Sequence, residues 1–178
     1  MRRDSIPDLV ASMHPSLETR NSHIHGTGLF AATPLASGTV IIRFGGFFFT
    51  ASSRADALIV EPSTAVGVSE STIIGEHAGT DRDISDYINH SCGPNLGMLD
   101  ALTLVTIADV GEGAELTADY AYWESDADYE MPRKCRCGVA KCRSTITGND
   151  WRMAADCPHL VQWSSPYIRR RIQALTEE

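Results

Sequence analysis

Tyr87-Ile88-Asn89-His90-Ser91-Cys92-Gly93-Pro94-Asn95 sets a histidine and a cysteine in a polar run that closes on the turn-forming pair Pro94-Asn95. Taken alone this is a loop, and a lone histidine in a loop is more often a structural hydrogen-bond partner than a ligand or a base. Its cysteine gains meaning from a second stretch, Cys135-Arg136-Cys137-Gly138 followed by Cys142, which packs three thiols around a glycine that permits a tight turn. Three thiolates are one short of the tetrahedron that structural zinc takes. The fourth ligand has to come from elsewhere in the chain. Cys92, Cys157 or a histidine can supply it, and Cys92 has the most distinctive setting.

Two further stretches lie on either side. His25-Gly26-Thr27-Gly28-Leu29-Phe30 has glycines one residue apart, which mark a tight turn. A dinucleotide-binding loop would need a third glycine and a following helix, whereas Leu29-Phe30-Ala31 reads as a strand. In Gly111-Glu112-Gly113-Ala114-Glu115-Leu116-Thr117-Ala118-Asp119-Tyr120-Ala121-Tyr122, alternation puts Tyr120 and Tyr122 on one face. There they either line a pocket or fill a core edge.

Thr39–Ile42, Ala65–Val68 and Leu102–Ile107 are also β-branched runs bounded by turn formers. No long amphipathic period interrupts them before residue 150, so the expected class is mainly β. Phe47-Phe48-Phe49 reads as core strand. Ser125 to Met131 is acidic and turn-like, a linker to the cysteine cluster. Ser165-Pro166 is a helix start, with the serine as cap, followed by Tyr167, Ile168, Arg171, Ile172 and Leu175 at helical spacing.

The 178 residues, 43% hydrophobic and 21% charged, suit one globular domain with a modest core. Met1 to Leu9 lacks the apolar stretch of a secretion signal, and no later segment resembles a membrane span. A cytosolic protein is expected, or a nuclear one in a eukaryotic host. The chain has five cysteines, an odd number, and in a reducing compartment closely spaced thiols are metal ligands or reactive groups sooner than disulfides. A formal charge of −8 argues against direct nucleic-acid binding and favours a cationic partner, or simply keeps the protein soluble. Arg169-Arg170-Arg171 reads as a solvated helix face.

In order and spacing, the four stretches together closely resemble the SET domain with its cysteine-rich post-SET tail, over about Asn21 to Cys142. The resemblance implies a mainly β fold of small curved sheets with a pseudoknot, a zinc-binding tail and a C-terminal helix. Residues 1–20 lack a clear period and hold two prolines, so they read as an irregular arm; the chain then divides into that arm (1–20), a SET domain (21–124), a post-SET segment (125–150) and a C-terminal extension (151–178). The resemblance further implies S-adenosylmethionine as cofactor, contacted by His25, Gly26, Thr27 and Gly28 through main chain and by Tyr87, Asn89 and His90. Tyr120, threaded beneath the Asn89-His90 loop, would be the catalytic residue that orients and polarises. Phe44, Ala118 and Tyr122 would line the substrate channel. Cys92, Cys135, Cys137 and Cys142 would hold one structural zinc.

The implied activity is a protein-lysine N-methyltransferase acting on a lysine-bearing protein or peptide. A small biosynthetic amine as substrate and a decayed, zinc-stabilised binding module are the alternatives. The chain departs from the family in two places: Phe44-Gly45-Gly46-Phe47 stands where many members carry Tyr-x-Gly-Glu, and Ala118 stands where an aromatic residue often limits the number of methyl groups. The second departure implies a wider pocket. Nothing in the sequence fixes the oligomeric state.

Overall fold

A computed structural model describes residues 9–50, 60–61 and 63–177. Among the described residues eleven strands run in chain order: β1 Ser12–Met13, β2 Leu17–Asn21, β3 Thr27–Ala31, β4 Val40–Arg43, β5 Phe47–Thr50, β6 Val66–Ser69, β7 Thr72–Gly75, β8 Asn89–His90, β9 Leu96–Met98, β10 Thr103–Thr106 and β11 Glu115–Ala118. They form three small sheets in the orders β1-β4-β10-β9, β2-β3-β11-β8 and β5-β7-β6. The runs expected around residues 29, 40, 66 and 103 are thus strands, and the class is mainly β; the stretch read as an irregular arm also carries β1 and most of β2, which pair with β4 and β3.

The pattern of burial follows from position in a sheet. β10 lies between β4 and β9 and is buried along its whole length, as a central strand covered on both faces must be. β5 is an edge strand. Phe49 points inward at 7% exposure, whereas Phe48 points outward at 43%, so the phenylalanine run is only partly core.

One pairing is parallel in this otherwise antiparallel set. β8 and β11 lie side by side with Asn89 opposite Thr117 and His90 opposite Ala118. Between them the chain makes β9 and β10 in another sheet, then returns alongside β8. Asn95 pins the crossing: its Oδ1 accepts the Thr117 N–H at 2.8 Å and its Nδ2 donates to the Glu115 carbonyl at 2.8 Å.

β11 ends at Ala118 because Asp119 turns its carboxylate back to accept the Ala121 N–H at 3.0 Å, starting a 3-10 turn over Tyr120–Tyr122. Strand alternation therefore does not reach the two tyrosines, and they do not share a face. Tyr120 looks into a cavity, while Tyr122 is wholly buried on the other side.

Two helices close the C-terminal end, α1 Pro158–Trp163 and α2 Pro166–Thr176, after a 3-10 turn at Asp150–Met153. Only α2 was expected; six residues of α1 are too few to show a period. Ser165 precedes α2 as foreseen, but its side chain makes no capping bond. Its N–H instead donates to the Tyr122 carbonyl at 2.9 Å and ties the helix to the core. Arg171 of the basic run lies over the Trp151 ring at 5.2 Å and pairs with Glu70, so that face is partly engaged. No helix among the described residues is long and apolar enough to cross a membrane.

Candidate functional site

The site starts from the hairpin between β2 and β3. Ser22 Oγ accepts the N–H groups of Ile24 at 2.9 Å and His25 at 3.2 Å, and the Ser22 N–H donates to the Gly26 carbonyl at 2.7 Å. Gly26 takes φ +49°, the left-handed region that favours glycine. Gly28 is needed for a different reason: a Cβ there would stand 2.3 Å from the Glu115 carboxylate. That carboxylate accepts from Asn89 Nδ2 at 2.8 Å and from Ser22 Oγ at 2.9 Å. Asn89 Nδ2 also lies 3.0 Å from the His25 carbonyl and 3.2 Å from that of Thr27.

Glu115 thus joins the Gly-x-Gly turn to the Asn-His strand. Sequence reasoning gave it no role, although a carboxylate inside a strand between Ala114 and Leu116 was a visible signal. Glu115→Ala should lower stability by about 1.5–3 kcal/mol, the usual worth of hydrogen bonds to a charged group. The check is the urea midpoint of the variant against the parent. An unchanged midpoint would leave the turn without this brace.

The threaded chain brings Tyr120 up to the loop. Its N–H donates to His90 Nδ1 at 3.2 Å and its hydroxyl to the Ile88 carbonyl at 3.0 Å. Burial lowers the His90 pKa to about 4, with Asp119 opposing and Arg143 assisting. The ring is therefore neutral at pH 7, with its proton on Nε2, 3.3 Å from Cys92 Sγ. Burial likewise pushes the Tyr120 phenol well above its ordinary value, so it stays protonated at neutral pH and is no general base.

A cavity of about 1190 Å³ opens beside this hydroxyl. Of the residues singled out above, His25, Gly26, Thr27, Phe44, Tyr87, Asn89, His90, Tyr120 and Cys135 line it. Three do not. Gly28 lies under Glu115, Ala118 is wholly buried in β11 opposite His90, and Tyr122 is turned away by the 3-10 turn. The aromatic wall is completed by Trp123, whose ring centroid is 5.9 Å from that of Phe44 and 5.8 Å from that of Tyr120. Nothing in strand alternation pointed to it.

The metal centre is compact. The sulfurs of Cys92, Cys135, Cys137 and Cys142 all lie within 4.8 Å of one another. A zinc–sulfur bond of about 2.3 Å implies sulfurs about 3.8 Å apart in a tetrahedron, so the four thiols fit a zinc ion after a small contraction. Cys157, the other candidate thiol, sits before α1 and outside the group. Cys92 Sγ also receives the Arg143 N–H at 3.4 Å. Burial pushes the Cys92 thiol up to about 11. Burial would raise Cys137 too, but backbone donors led by the Val139 N–H bring it to about 7. Loading the metal must release protons.

Behind Tyr120 lies a buried ionic group. Asp119 Oδ1 accepts from Arg143 Nη2 at 2.6 Å and Asp119 Oδ2 lies 2.8 Å from His159 Nε2. Arg143 Nε is 3.3 Å from Asp150 Oδ2. Burial alone would raise the Asp119 pKa, yet His159 and Arg143 hold it below the ordinary carboxylate range. A depressed carboxyl adds stability above its unfolded pKa of about 3.9 and loses it as pH falls through the folded value. Stability should therefore drop on acidification below about pH 4, and the drop should be smaller in Asp119→Asn. Urea midpoints at pH 7 and pH 3 test this, and equal losses in both proteins would contradict it.

Residues 26–121 match the SET domain family. The chain is 30% identical to human histone-lysine N-methyltransferase 2D over 134 residues, which is 68% of this chain and 2% of that protein. It is 29% identical to the H3 lysine-4 specific histone-lysine N-methyltransferase of Eremothecium gossypii, over 70% of this chain and 14% of the relative. With histone-lysine N-methyltransferase Su(var)3-9 of Drosophila pseudoobscura pseudoobscura the identity is 27%, over 75% and 25%. The chain thus spans a quarter or less of the length of each of these relatives. The solved structure of KRYPTONITE in complex with mCHG DNA and SAH has the same fold, with a TM-score of 0.56 at 22% identity over 72% of this chain and 28% of that one.

Proposed function

The chain belongs to the SET-domain family, and we propose that it moves a methyl group from S-adenosylmethionine to the side-chain amine of a lysine in a protein or peptide. One observation carries this reading. β11 runs parallel to β8, which delivers the Tyr120 hydroxyl to the cavity shared by the His25–Thr27 turn and His90. Relatives covering two thirds or more of the chain bear the name histone-lysine N-methyltransferase, which supports the same reaction class.

S-adenosylmethionine supplies an electrophilic methyl group on a sulfonium centre. The residues of this chain contribute placement and electrostatics. His25, Gly26 and Thr27 would hold the cofactor on one side and Tyr87, Asn89 and His90 on the other. A Cβ at Gly26 would meet nothing within 4 Å, so the main chain there is open to a ligand. The cavity of about 1190 Å³ exceeds the roughly 300–1,000 Å³ of a single small-molecule site, which leaves space for a second reactant.

The amine must arrive without its proton. With a reference pKa near 10.4, freeing a lysine lone pair at pH 7 costs roughly 4–5 kcal/mol. The Phe44, Tyr120 and Trp123 rings reduce that cost because an apolar wall disfavours the ammonium form. The Tyr120 hydroxyl donates its hydrogen bond to the Ile88 carbonyl, so its oxygen keeps lone pairs that can accept an amine N–H and aim the nitrogen. Asp86 lines the same cavity. Burial, helped by Asp83 and Glu76, raises its pKa to about 6, so at pH 7 it is mostly ionised and draws a cationic side chain toward the mouth.

The test is incubation of the purified protein with labelled S-adenosylmethionine and histone or cell-extract proteins. Label on lysine is the expected result. Cofactor bound but label never found on lysine would overturn the reading, and label confined to a small amine would replace the substrate class.

A further inference from the structure

Arg143 does not line the cavity, yet its guanidinium is only 6% exposed, lies beside the Cys92 sulfur and reaches back to a residue 24 positions earlier. Burying a guanidinium is unfavourable unless it is paired in good geometry, so its position calls for a reason. We propose that Arg143 is a positioning residue that transmits the seating of the four-thiol tail to Tyr120, an inference that rests on the methyltransferase reading of the same site.

The contacts form a short chain. Arg143 directly follows Cys142, and its backbone N–H donates to Cys92 Sγ at 3.4 Å, so the residue moves with the sulfur cluster. Its Nη2 donates to Asp119 Oδ1 at 2.6 Å. That same oxygen accepts the Ala121 N–H at 3.0 Å, the bond that starts the 3-10 turn and turns Tyr120 toward the cavity. His159 from α1 takes the second Asp119 oxygen at 2.8 Å, and Asp150 lies 3.3 Å from Arg143 Nε. Asp119 is thus fixed from two sides and is fully buried. When the tail is unseated, Arg143 leaves with it and the oxygen that aims Tyr120 loses its charged partner. The zinc tail then acts as part of the alignment of the aiming hydroxyl as well as a closure for the cavity.

Three variants test this: Arg143→Met, Arg143→Lys and the double Asp119→Asn/Arg143→Met. The double variant removes both charges, keeps an oxygen for the Ala121 N–H, and covers the case in which a lone Asp119 prevents folding. The readouts are bound zinc, hydrogen exchange of the 119–123 peptide, and kcat and KM. Arg143→Met and the double variant should keep the parent's zinc and exchange that peptide at least about tenfold faster. Their kcat should fall at least about tenfold with KM changed less than about threefold. Arg143→Lys should recover part of both losses.

Parent-like exchange and kcat in both Met-containing proteins would overturn the proposal. So would loss of zinc from both, because the residue would then act through the metal. The exchange arm needs no turnover, so a parent that transfers no methyl group sinks the methyltransferase reading and leaves the positioning role to be judged on exchange and zinc alone.

Discussion

Cys137→Ser is expected to release the metal, free the tail that follows residue 130 and abolish measurable turnover. The sulfur group contains four thiols within 4.8 Å, and removing one leaves three ligands for an ion that takes four in structural sites. Zinc-finger peptides gain about 10–16 kcal/mol on binding zinc at neutral pH, so even a fraction of that is enough to order a short tail. Cys135, Lys134 and Arg133 line the cavity, and Arg133 reaches the His25 ring, so loosening this tail opens one wall of the site. Metal analysis gives the first check, with about one zinc per chain in the parent and well below that in the variant. Proteolysis gives the second, with new cuts between residues 131 and 145. Equal metal content in the two proteins would refute the ligand set.

Tyr120→Phe is expected to leave zinc and fold in place while lowering turnover by at least about tenfold, equivalent to about 1.4 kcal/mol of transition-state stabilisation. The variant loses the hydroxyl bond to the Ile88 carbonyl, which costs about 0.5–1.5 kcal/mol of stability, too little to unfold an ordinary domain. It keeps the ring between His90 and Trp123. The loss should therefore appear in kcat more than in KM, because an aiming hydroxyl acts on the reacting geometry. Turnover equal to the parent's would remove the role assigned to that phenol.

What could be read in advance was what ligand chemistry and strand sterics restrict to few residue types. Three clustered thiols demand a fourth ligand, and the strands around residues 29, 40, 66 and 103 announce themselves by β-branched runs between turn formers. The threading of β11 beside β8 came from family resemblance, since no local pattern encodes a parallel pairing across two intervening strands.

The rest depended on single side chains acting at a distance. Asp119 stops β11 with one hydrogen bond, which separates Tyr120 from Tyr122 and puts Trp123 in the wall where Tyr122 was expected. Ala118 looked like a pocket-widening substitution, but it faces the buried side of β11, so the size of the cavity is set by other residues. Glu115 and Arg143 drew no reading from the sequence because their partners lie 26 and 24 positions away. Charge pairing over such separations leaves no mark on a hydrophobic period.

The central claim is that one cavity, bounded by the His25–Thr27 turn, the Asn89-His90 strand and Tyr120, receives the methyl donor. A crystal structure of the zinc-loaded protein soaked with S-adenosylhomocysteine tests it most directly. Density for the ligand against His25–Thr27 and Asn89-His90, in the same cavity as the Tyr120 hydroxyl, is the predicted result. An empty cavity at saturating ligand, or ligand bound on another face of the molecule, would contradict the account.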